Sequence, residues 1–541
     1  MKNKNKKQKL SDKEKIEIVL RPLSDEQIES LSAAELRILL RGEQQIRKIF
    51  EEGYHQAQAL NKELEEKNLL IEGVMVRLKC RLFSPKSERS KPVNKSQDEK
   101  KPKRRPVSKD RNLLERYPNA DLIEKEVRLE HLPTCPCCNG QMQEMGVFEQ
   151  SQKLTVIPKK YLITNILRMK YHCQHCHGAI KTAPQLPAVV PRGSYSDAFL
   201  IDVVLSKYCD LIPIDRYCEI AARGGIAGIP ANSLYDGSFN VAQFLNPIYE
   251  LIRIEALDSW ILCGDETPHK MLEGSDVKKW YLWGFFSLTA CFFECHATRA
   301  GTVAADVLSE SGCRYFLSDA YTGYAKAIRD TNELRERAQI EPILEVLCNA
   351  HARRYFKECI SEDEANLSAN EDPDVFIAEY RLIYETEEEV QKLLGENKLA
   401  DATQRRSSIA ENFTRMKVKA ESDLSRYPSS HNYYKSCQYF LNNYDGLTAC
   451  LKESRIPLDN NISERGLRSH VVGRKTWYGT HSERGAQAGA IHFTICETCK
   501  LVGVNPRDYY KEVVDAIHYK KPLFTPYQYK QKNLESKLPS G

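Results

Sequence analysis

Apolar residues recur with heptad spacing in the first part of the chain. Between about residue 35 and residue 82 proline is absent and Glu, Gln, Leu and Lys dominate, so the pattern predicts a long helix with an apolar seam. Gly53 and Lys67 fall on the seam and weaken it. Two interpretations stay open, a dimerising coiled coil or an amphipathic helix packed on its own chain. The seam consists of Ile46, Phe50, Ala57, Leu60, Leu64, Ile71, Val74 and Leu78.

Further along the chain the pattern changes twice. Residues 195 to 255 have helical apolar spacing, whereas from Trp260 short runs of aromatic and β-branched residues predict strands. Between Gly301 and Ser311 the spacing is helical. Residues 352 to 455 return to polar, Glu- and Lys-rich helical sequence before PLDNNISERGLR opens another helix. The order predicts an α/β domain interrupted by a helical insertion. The strand-like runs are WILCGDETP, KKWYLWGFFSLTACFFECHA and CRYFLSDAYTGY.

Composition narrows the class of protein. The chain has 541 residues, 41% of them apolar and 28% charged, which excludes a fibrous or wholly disordered chain and predicts several domains. The net charge is only +5, so a polyanion would be recognised by local basic patches. Without a signal peptide or an apolar run of membrane length, and with eighteen cysteines spread over the chain, we expect a cytoplasmic protein that does not enter a membrane.

A basic, proline-containing segment follows the first helix. Residues 84–111 contain eleven Lys and Arg against four acidic residues, and such a composition cannot bury enough apolar surface to order itself. It predicts a solvated tether. It also predicts a sequence-independent phosphate-binding arm, because neutralised phosphates release counterions. The two interpretations are compatible, and Lys103, Arg104 and Arg105 are the densest basic run.

Paired cysteines indicate a metal site. Two C-x-x-C pairs supply four thiolates, the ligands that structural Zn²⁺ selects, so we expect a zinc-ribbon-like module. Cys137, His175 and His177 are alternative ligands at its margins. The competing interpretation is reduced cysteines in turns. A third pair, Cys496 and Cys499, continues an apolar helical pattern and is expected in the core. The expected ligands are Cys135, Cys138, Cys173 and Cys176.

Two aspartates follow strand-like runs. Asp265 comes after WILC and Asp319 after CRYFLS. Taken singly, each is more often a turn or helix-capping residue. If the two strands pair, the carboxylates become neighbours, and paired carboxylates are oxygen ligands suited to Mg²⁺ or Mn²⁺.

A third acid, Glu464, lies in the last predicted helix. Helical spacing puts Glu464 on one face with Asn461 and Arg468, while Leu467 and Val471 can face the core. The simpler alternative is an exposed helix with a salt bridge between Glu464 and Arg468. Nearby cations could hold phosphates beside a scissile bond; these are Arg465, Arg468, Arg474 and Lys475.

The run LDNNISERGLRSHVVGRKTWYGT, with GDETPHKML, LSDAYTGY and CNAHARRYF, resembles transposases of insertion sequence 66 type, a DDE family. The resemblance covers most of the chain, and the string DNN-x-x-ER-x-x-R-x-x-x-x-RK is its most specific part. It implies a ribonuclease-H-like fold whose acidic triad is Asp265, Asp319 and Glu464. It also implies two Mg²⁺ or Mn²⁺ ions roughly 4 Å apart. Thr476 stands where the family often has Asn.

The resemblance extends to residues that could touch DNA. His351 and Arg353 match a His-x-x-Arg-like segment and could lie near the scissile phosphate, although a core histidine is an equal alternative. Trp477 could stack on an unpaired base or pack in the core. The expected partners are double-stranded transposon ends and target DNA, a second copy of the chain or a larger oligomer, and accessory proteins of the same element. Association with the bacterial nucleoid is expected.

The patterns predict a multidomain α+β protein, and the resemblance implies that it cleaves element ends and transfers the strands. Two rivals remain, a non-catalytic DNA-binding protein and a metal-dependent nuclease without strand transfer. The expected divisions are an N-terminal helical region 1–83, a basic linker 84–111, a zinc-binding module 112–190, a DNA-binding helical segment 191–256, a first catalytic part 257–351, a helical insertion 352–456, a second catalytic part 457–515 and a tail 516–541.

Overall fold

The structure is a computed structural model of the whole chain. It describes residues 113–117, 120–129, 131–143, 151–156, 159–175, 180–273, 277–365 and 372–535. The predicted N-terminal helix, the basic linker with Lys103, Arg104 and Arg105, and Cys176 lie outside these residues. Most of the described residues belong to one compact unit, 92–356 with 374–541, whereas 357–373 belongs to another. Within the described residues, no helix is long and apolar enough to span a membrane.

Both helices and strands precede the helical insertion. In chain order they are α1 (Leu113–Arg116), β1 (Lys170–His172), β2 (Ile180–Thr182), α2 (Asp197–Tyr208), α3 (Ile214–Arg223), α4 (Ala231–Phe244), α5 (Asn246–Leu257), β3 (Ile261–Lys270), β4 (Lys279–Phe286), β5 (Cys291–His296), α6 (Thr302–Glu310), β6 (Tyr315–Ser318), α7 (Thr322–Arg337) and β7 (Leu344–Leu347).

The elements after β7 are all helical. They are α8 (Asn349–Ala365), α9 (Asp372–Gly395), α10 (Leu399–Ser407), α11 (Ala410–Asp423), α12 (Asn432–Asn442), α13 (Tyr444–Thr448), a 3-10 turn (Ala449–Leu451), α14 (Asn461–Trp477), α15 (Glu483–Val502), α16 (Pro506–His518) and α17 (Pro526–Glu535). The predicted α/β order is confirmed. The segment expected to be a tail contains a helix, α17.

Five strands form one mixed sheet in the order β5-β4-β3-β6-β7. The neighbours β5, β4 and β3 pair antiparallel, and β6 and β7 run parallel to β3. The aromatic runs recognised in the sequence supply the core of the antiparallel half, because their side chains are fully buried there. These are Trp283, Phe285, Phe286, Phe292 and Phe293.

Helix α15 covers the edge strand β5. The Thr494 hydroxyl accepts a hydrogen bond from the backbone N–H of Phe293 at 3.0 Å, and the Thr498 hydroxyl donates to the carbonyl of Cys291 at 2.9 Å. These side chains satisfy backbone groups that an open sheet edge would leave exposed. Cys496 and Cys499 on the same helix are fully buried, which confirms their expected place in the core.

The helical insertion between β7 and α14 is closed at its base by one side chain. The Asn349 amide donates to the carbonyls of Leu447 and Leu458 at 3.0 and 3.2 Å, and the Asn349 N–H also donates to Leu458 at 3.0 Å. Asn349 is fully buried. The first residue of α8 is therefore bonded to the segment that leads into α14, about a hundred residues later.

Helix α14 packs on the sheet at a position without a side chain. A Cβ added to Gly466 would lie 2.1 Å from a ring carbon of Phe286 in β4, so the helix approaches the strand more closely than any other residue would allow. Glu464, two residues earlier, is thereby held at the level of the sheet.

We predict that Gly466→Ala destabilises the α/β domain by about 1–3 kcal/mol, because the methyl group forces either the helix or the Phe286 ring to move. The free energy of unfolding can be followed in urea by tryptophan fluorescence, since all four tryptophans lie between residues 260 and 477. Gly395→Ala, where an added Cβ meets nothing within 4 Å, is the matched control and should change stability by less than about 1 kcal/mol. Equal effects of the two substitutions would contradict the packing argument.

Candidate active site

The two aspartates meet where the parallel pairing of β3 and β6 ends. The last paired residues are Cys263 and Leu317, and Asp319 follows β6 directly. The expected pairing of the two strands is confirmed. The expected strand end at Asp265 is wrong, because β3 continues to Lys270 through its antiparallel pairing with β4. Asp265 therefore lies on continuous backbone beside the carboxyl end of β6.

The turn before α14 is tied to this part of the sheet by Asn460. Its amide donates to the Gly264 carbonyl at 2.9 Å, and its backbone N–H donates to Cys348 Sγ at 3.2 Å. The Ser463 hydroxyl donates to Asn460 Oδ1 at 2.6 Å. Because Gly264 precedes Asp265, these bonds fix the first turn of α14 beside β3, the strand that carries Asp265. Glu464 is held there with that turn.

The electrostatics of Asp265 reflect the acids around it. Burial, and after it the negative charges of Glu266, Asp319 and Glu464, together raise the pKa of Asp265 to about 7. Like charges at short range favour the neutral form of a carboxyl group unless a cation compensates them. The donor set is made of carboxylate oxygens, which hard divalent cations such as Mg²⁺ and Mn²⁺ prefer.

The donor chemistry therefore fits a divalent cation. In the part of the chain that the structure describes, however, no three acidic, histidine or cysteine side chains already have the spacing of a formed metal site. Asp319 and Glu464 lie close enough to Asp265 for their charges to raise its pKa.

A histidine and an arginine of α8 flank the third acid. Glu464 Oε1 lies 3.8 Å from His351 Nε2 and 3.8 Å from Arg354 Nη2. Arg353, expected near the scissile phosphate, instead has its guanidinium 5.6 Å from the ring centre of Tyr384. Arg354 was missed in the sequence, although its spacing of three from His351 on a helix was a usable signal.

The basic residues of α14 divide into exposed and tethered ones. Arg465, Arg468 and Lys475 are exposed, so they are available to a polyanion. The Arg474 guanidinium is tethered, since it donates to the Pro268 carbonyl of β3, and burial lowers its pKa. Within the described residues, the ion pairs of Glu464 are made to α8 and not to Arg468.

The buried stripe of α14 differs from the expected one. Leu467 is buried as predicted, but Val471 is only half-buried, because the stripe runs through His470. His470 Nε2 lies 3.3 Å from His269 Nδ1, and His269 Nε2 lies 2.8 Å from the Thr480 hydroxyl. His470 can therefore be buried because His269 is its polar partner. The buried residues are Ser463, Leu467, His470 and Gly473.

Trp477, at the end of α14, packs against α2. Its ring centroid lies 6.5 Å from that of Tyr208 in an edge-to-face arrangement, and the Lys207 ammonium lies 5.8 Å from the indole. The indole also lies over Gly473 one turn earlier, where an added Cβ would meet it at 2.5 Å. The half-buried ring therefore has protein neighbours on several sides.

The first cysteine pair forms a tight turn. The Cys135 N–H donates to the Gly140 carbonyl at 2.8 Å, and the Asn139 N–H donates to the Cys135 carbonyl at 2.9 Å. Asn139 takes a left-handed conformation, φ 56°. Hydrogen bonds from the N–H groups of Cys137 and Cys138 lower the pKa of the Cys135 thiol. Thiolate formation is what a zinc ligand requires.

Cys173, the first residue of the second cysteine pair, lies next to a small hairpin. Strands β1 and β2 pair antiparallel, and Cys173 follows β1 directly. Its partner Cys176 lies in the connection to β2, outside the described residues. Two thiol-bearing turns separated by extended chain are typical of a structural zinc module.

Comparisons with known proteins match two parts of the chain. Residues 192–488 match the Transposase IS66 family, and residues 133–177 match the zinc-finger binding domain of transposase IS66. The first match covers more than half of the chain, so this protein belongs to the IS66 transposase family. The cysteine turns lie within the zinc-finger match, which indicates Zn²⁺ and a role in binding DNA.

Similar curated proteins come from one bacterium. The uncharacterized protein y4hP of Sinorhizobium fredii (strain NBRC 101917 / NGR234) is 26% identical over 421 residues, 74% of each chain. The uncharacterized protein y4jD of the same strain is 23% identical over 408 residues, covering 73% of this chain and 76% of that protein.

We predict that Asp265→Asn stabilises the metal-free protein at pH 8 by an amount on the order of 2–4 kcal/mol. Asp265 keeps its proton in the folded state up to about pH 7, whereas the unfolded chain loses it near pH 4. Stability of the wild type therefore falls as pH rises from about 4 to 7, and the amide removes this loss. Urea unfolding at pH 4 and pH 8 in Mg²⁺-free buffer measures the difference. Millimolar Mg²⁺ should stabilise the wild type at pH 8 more than it stabilises the Asp265→Asn variant. If Asp265→Asn increases the free energy of unfolding equally at pH 4 and pH 8, the assignment is contradicted.

We predict that Cys138→Ser loses zinc and that Cys137→Ser keeps about one Zn²⁺ per chain. The Cys138 thiol is the stronger side-chain partner of Cys135, so it is the better placed second ligand of the turn. Elemental analysis of protein purified without chelators measures the metal. Wild-type protein free of zinc, or equal loss in both variants, would contradict the prediction.

Proposed function

We propose that this chain is a DDE transposase that cleaves the 3′ ends of its element and joins them to target DNA. The observation that carries the proposal is the convergence of Asp265, Asp319 and Glu464 from β3, the end of β6 and the first turns of α14, with the pKa of Asp265 raised by its acidic neighbours. The sheet order, three antiparallel strands followed by two parallel ones, supports a ribonuclease-H-like catalytic domain interrupted by a helical insertion.

The three carboxylates are proposed as the ligands of two Mg²⁺ or Mn²⁺ ions. Bound divalent cations would neutralise charge on the scissile phosphate and activate the attacking oxygen. Burial and the neighbouring acids favour the protonated form of Asp265, so a bound cation would relieve an unfavourable charge there.

Cations of the protein are proposed to orient the DNA. The exposed residues Arg465, Arg468 and Lys475 on α14 can contact phosphates on both sides of the scissile bond. His351 and Arg354 lie at Glu464, where they can hold a phosphate oxygen or keep Glu464 in place. His351 Nδ1 is buried without a hydrogen-bond partner.

The proposed reaction proceeds without a covalent enzyme intermediate. A water oxygen forms a bond to phosphorus while the bond to the 3′ oxygen breaks, which leaves a 3′-hydroxyl on the element and a 5′-phosphate on the flanking strand. That 3′-hydroxyl then attacks a phosphorus of the target and displaces the target's own 3′ oxygen. One site can serve both steps because the attacking group is an activated oxygen in each.

The remaining parts of the chain are proposed to bind the DNA at the ends of the element. The zinc-binding module 112–190 and the helical segment 191–256 would recognise the terminal DNA, with the basic linker 84–111, including Lys103, Arg104 and Arg105, adding phosphate contacts. A dimer or larger oligomer on DNA, bridging two ends, and accessory proteins of the element are part of the proposal. Trp477 is proposed as a DNA contact through the exposed part of its ring.

We predict that Asp265→Ala abolishes cleavage of DNA carrying the flanking inverted repeats in Mg²⁺, while end binding and zinc content stay at wild-type levels. Loss of one member of the proposed triad removes ligands that the other two cannot replace. Asp306→Ala, an exposed aspartate of α6, is the matched control and should cleave normally. Cleavage retained by Asp265→Ala would refute the triad, and failure of wild-type protein to join a labelled, precut end to a plasmid would identify a nuclease without strand transfer.

A further inference from the structure

Beside Asp265 lies a second buried acid whose oxygens are both occupied. The Tyr324 hydroxyl donates to Glu266 Oε2 at 2.5 Å. Arg299 donates to Glu266 Oε1 from Nε at 2.7 Å and approaches it with Nη2 at 2.6 Å. The Glu266 side chain is 3% exposed. With both oxygens bonded inside the protein, Glu266 is placed to connect elements of the site.

Arg299 connects this acid to the loop that bears Asp319. Its guanidinium lies 4.3 Å from the ring centre of Tyr321, and the Tyr321 hydroxyl donates to the Arg299 carbonyl at 3.0 Å. The Tyr321 N–H in turn donates to Asp319 Oδ1 at 3.1 Å. An unbroken series of contacts therefore runs from the strand of Asp265 to the side chain of Asp319.

The two loops involved approach each other at glycines. A Cβ added to Gly301 would lie 2.3 Å from the Gly323 carbonyl oxygen, so the loop after β5 meets the first turn of α7, just after the Asp319 loop, backbone to backbone. This contact leaves the guanidinium of Arg299 little freedom to reach Glu266 by another route.

We propose that Arg299 is a positioning residue of the active site, which holds the Asp319 loop against the Asp265 strand through Glu266 and Tyr321. The inference rests on the proposed transposase function. Without the guanidinium, the buried Glu266 carboxylate would have no compensating charge beside Asp265 and Asp319. Removing one partner of a buried ion pair destabilises other proteins by several kcal/mol. The planar, forked guanidinium can pair with a carboxylate and stack on a ring at once, which an ammonium cannot.

The competing role for Arg299 is direct contact with DNA phosphate, since its side chain is 47% exposed. The two roles differ in their dependence on Glu266. A positioning arginine becomes dispensable when the acid it neutralises is also removed, whereas an arginine that binds DNA does not. A double substitution therefore distinguishes them.

The experiment compares Arg299→Met, Arg299→Lys and the double variant Arg299→Met with Glu266→Gln. We expect Arg299→Met to lower the single-turnover cleavage rate and the affinity for Mn²⁺ alone, measured by calorimetry, by about 10- to 100-fold, the usual effect of losing a partner behind a metal ligand. Binding of the end DNA should stay at the wild-type level. The double variant should recover both quantities to within about tenfold of wild type, and Arg299→Lys should fall between.

The matched control is Arg455→Met. Arg455 is 48% exposed, pairs with Glu453 at 3.0 Å and lies 4.8 Å from the ring of Trp260, so it reproduces the ion pair and the stacking of Arg299 away from the acids. Its substitution should leave cleavage and Mn²⁺ binding unchanged.

Arg299→Met with wild-type cleavage would overturn the proposal. So would a double variant no better than Arg299→Met, which would assign the arginine to DNA. If Arg299→Met does not fold, Arg299→Lys decides: unchanged cleavage and Mn²⁺ affinity overturn the role, and a parallel loss of both supports it. Asp265→Ala is included in each assay, because its retention of cleavage would mean that the proposed catalytic site itself is wrong, independently of Arg299.

Discussion

Mutual repulsion among carboxylates at the carboxyl end of β6 is the interaction to which the surrounding structure responds. Asp265 is held at this point because β3 pairs with β6 only as far as Cys263 and with β4 from Cys263 to Lys270. Glu464 is brought there by α14, whose first turn carries the positive end of the helix dipole. Arg354 adds positive charge from α8. The fold thus opposes the repulsion with backbone pairing, a helix end and a side-chain cation.

The sequence was sufficient to nominate the candidate acids but not the residues that hold them in place. Asp265 and Asp319 could be recognised because each follows an apolar run. Asn460 and Arg299 could not, because their roles depend on a carbonyl and a carboxylate that are distant in the chain. The continuation of β3 past Asp265 was hidden for the same reason, since it depends on pairing with β4.

The buried face of α14 shows how hydrophobicity misleads when a polar pair is buried. Val471 is more apolar than His470, so the pattern favours valine for the core. The structure buries the histidine because His269 faces it and each ring has a hydrogen-bond partner. Burial lowers the pKa of both rings, so they stay neutral and the pair behaves as part of the core.

Cysteine spacing alone did not separate ligands from core residues, since C-x-x-C occurs in both. Their surroundings separate them. Backbone N–H groups lower the pKa of the Cys135 thiol in its turn, whereas burial raises the pKa of Cys499 well above its ordinary value. The first environment favours the thiolate that a metal needs, and the second favours a small apolar side chain. The coarse α/β order and the zinc-type turn were accessible from sequence because both depend on local pattern.

The closure of the helical insertion by Asn349 affects how this chain can change over evolutionary time. Because both ends of the insertion are bonded at one buried amide, the residues between them form an excursion whose length does not set the position of Glu464. The entropy of closing a loop grows only slowly with its length. Helices can therefore be gained, lost or exchanged within the insertion while the distance between the two halves of the α/β domain is preserved, which makes this segment the natural place for relatives to diverge in size.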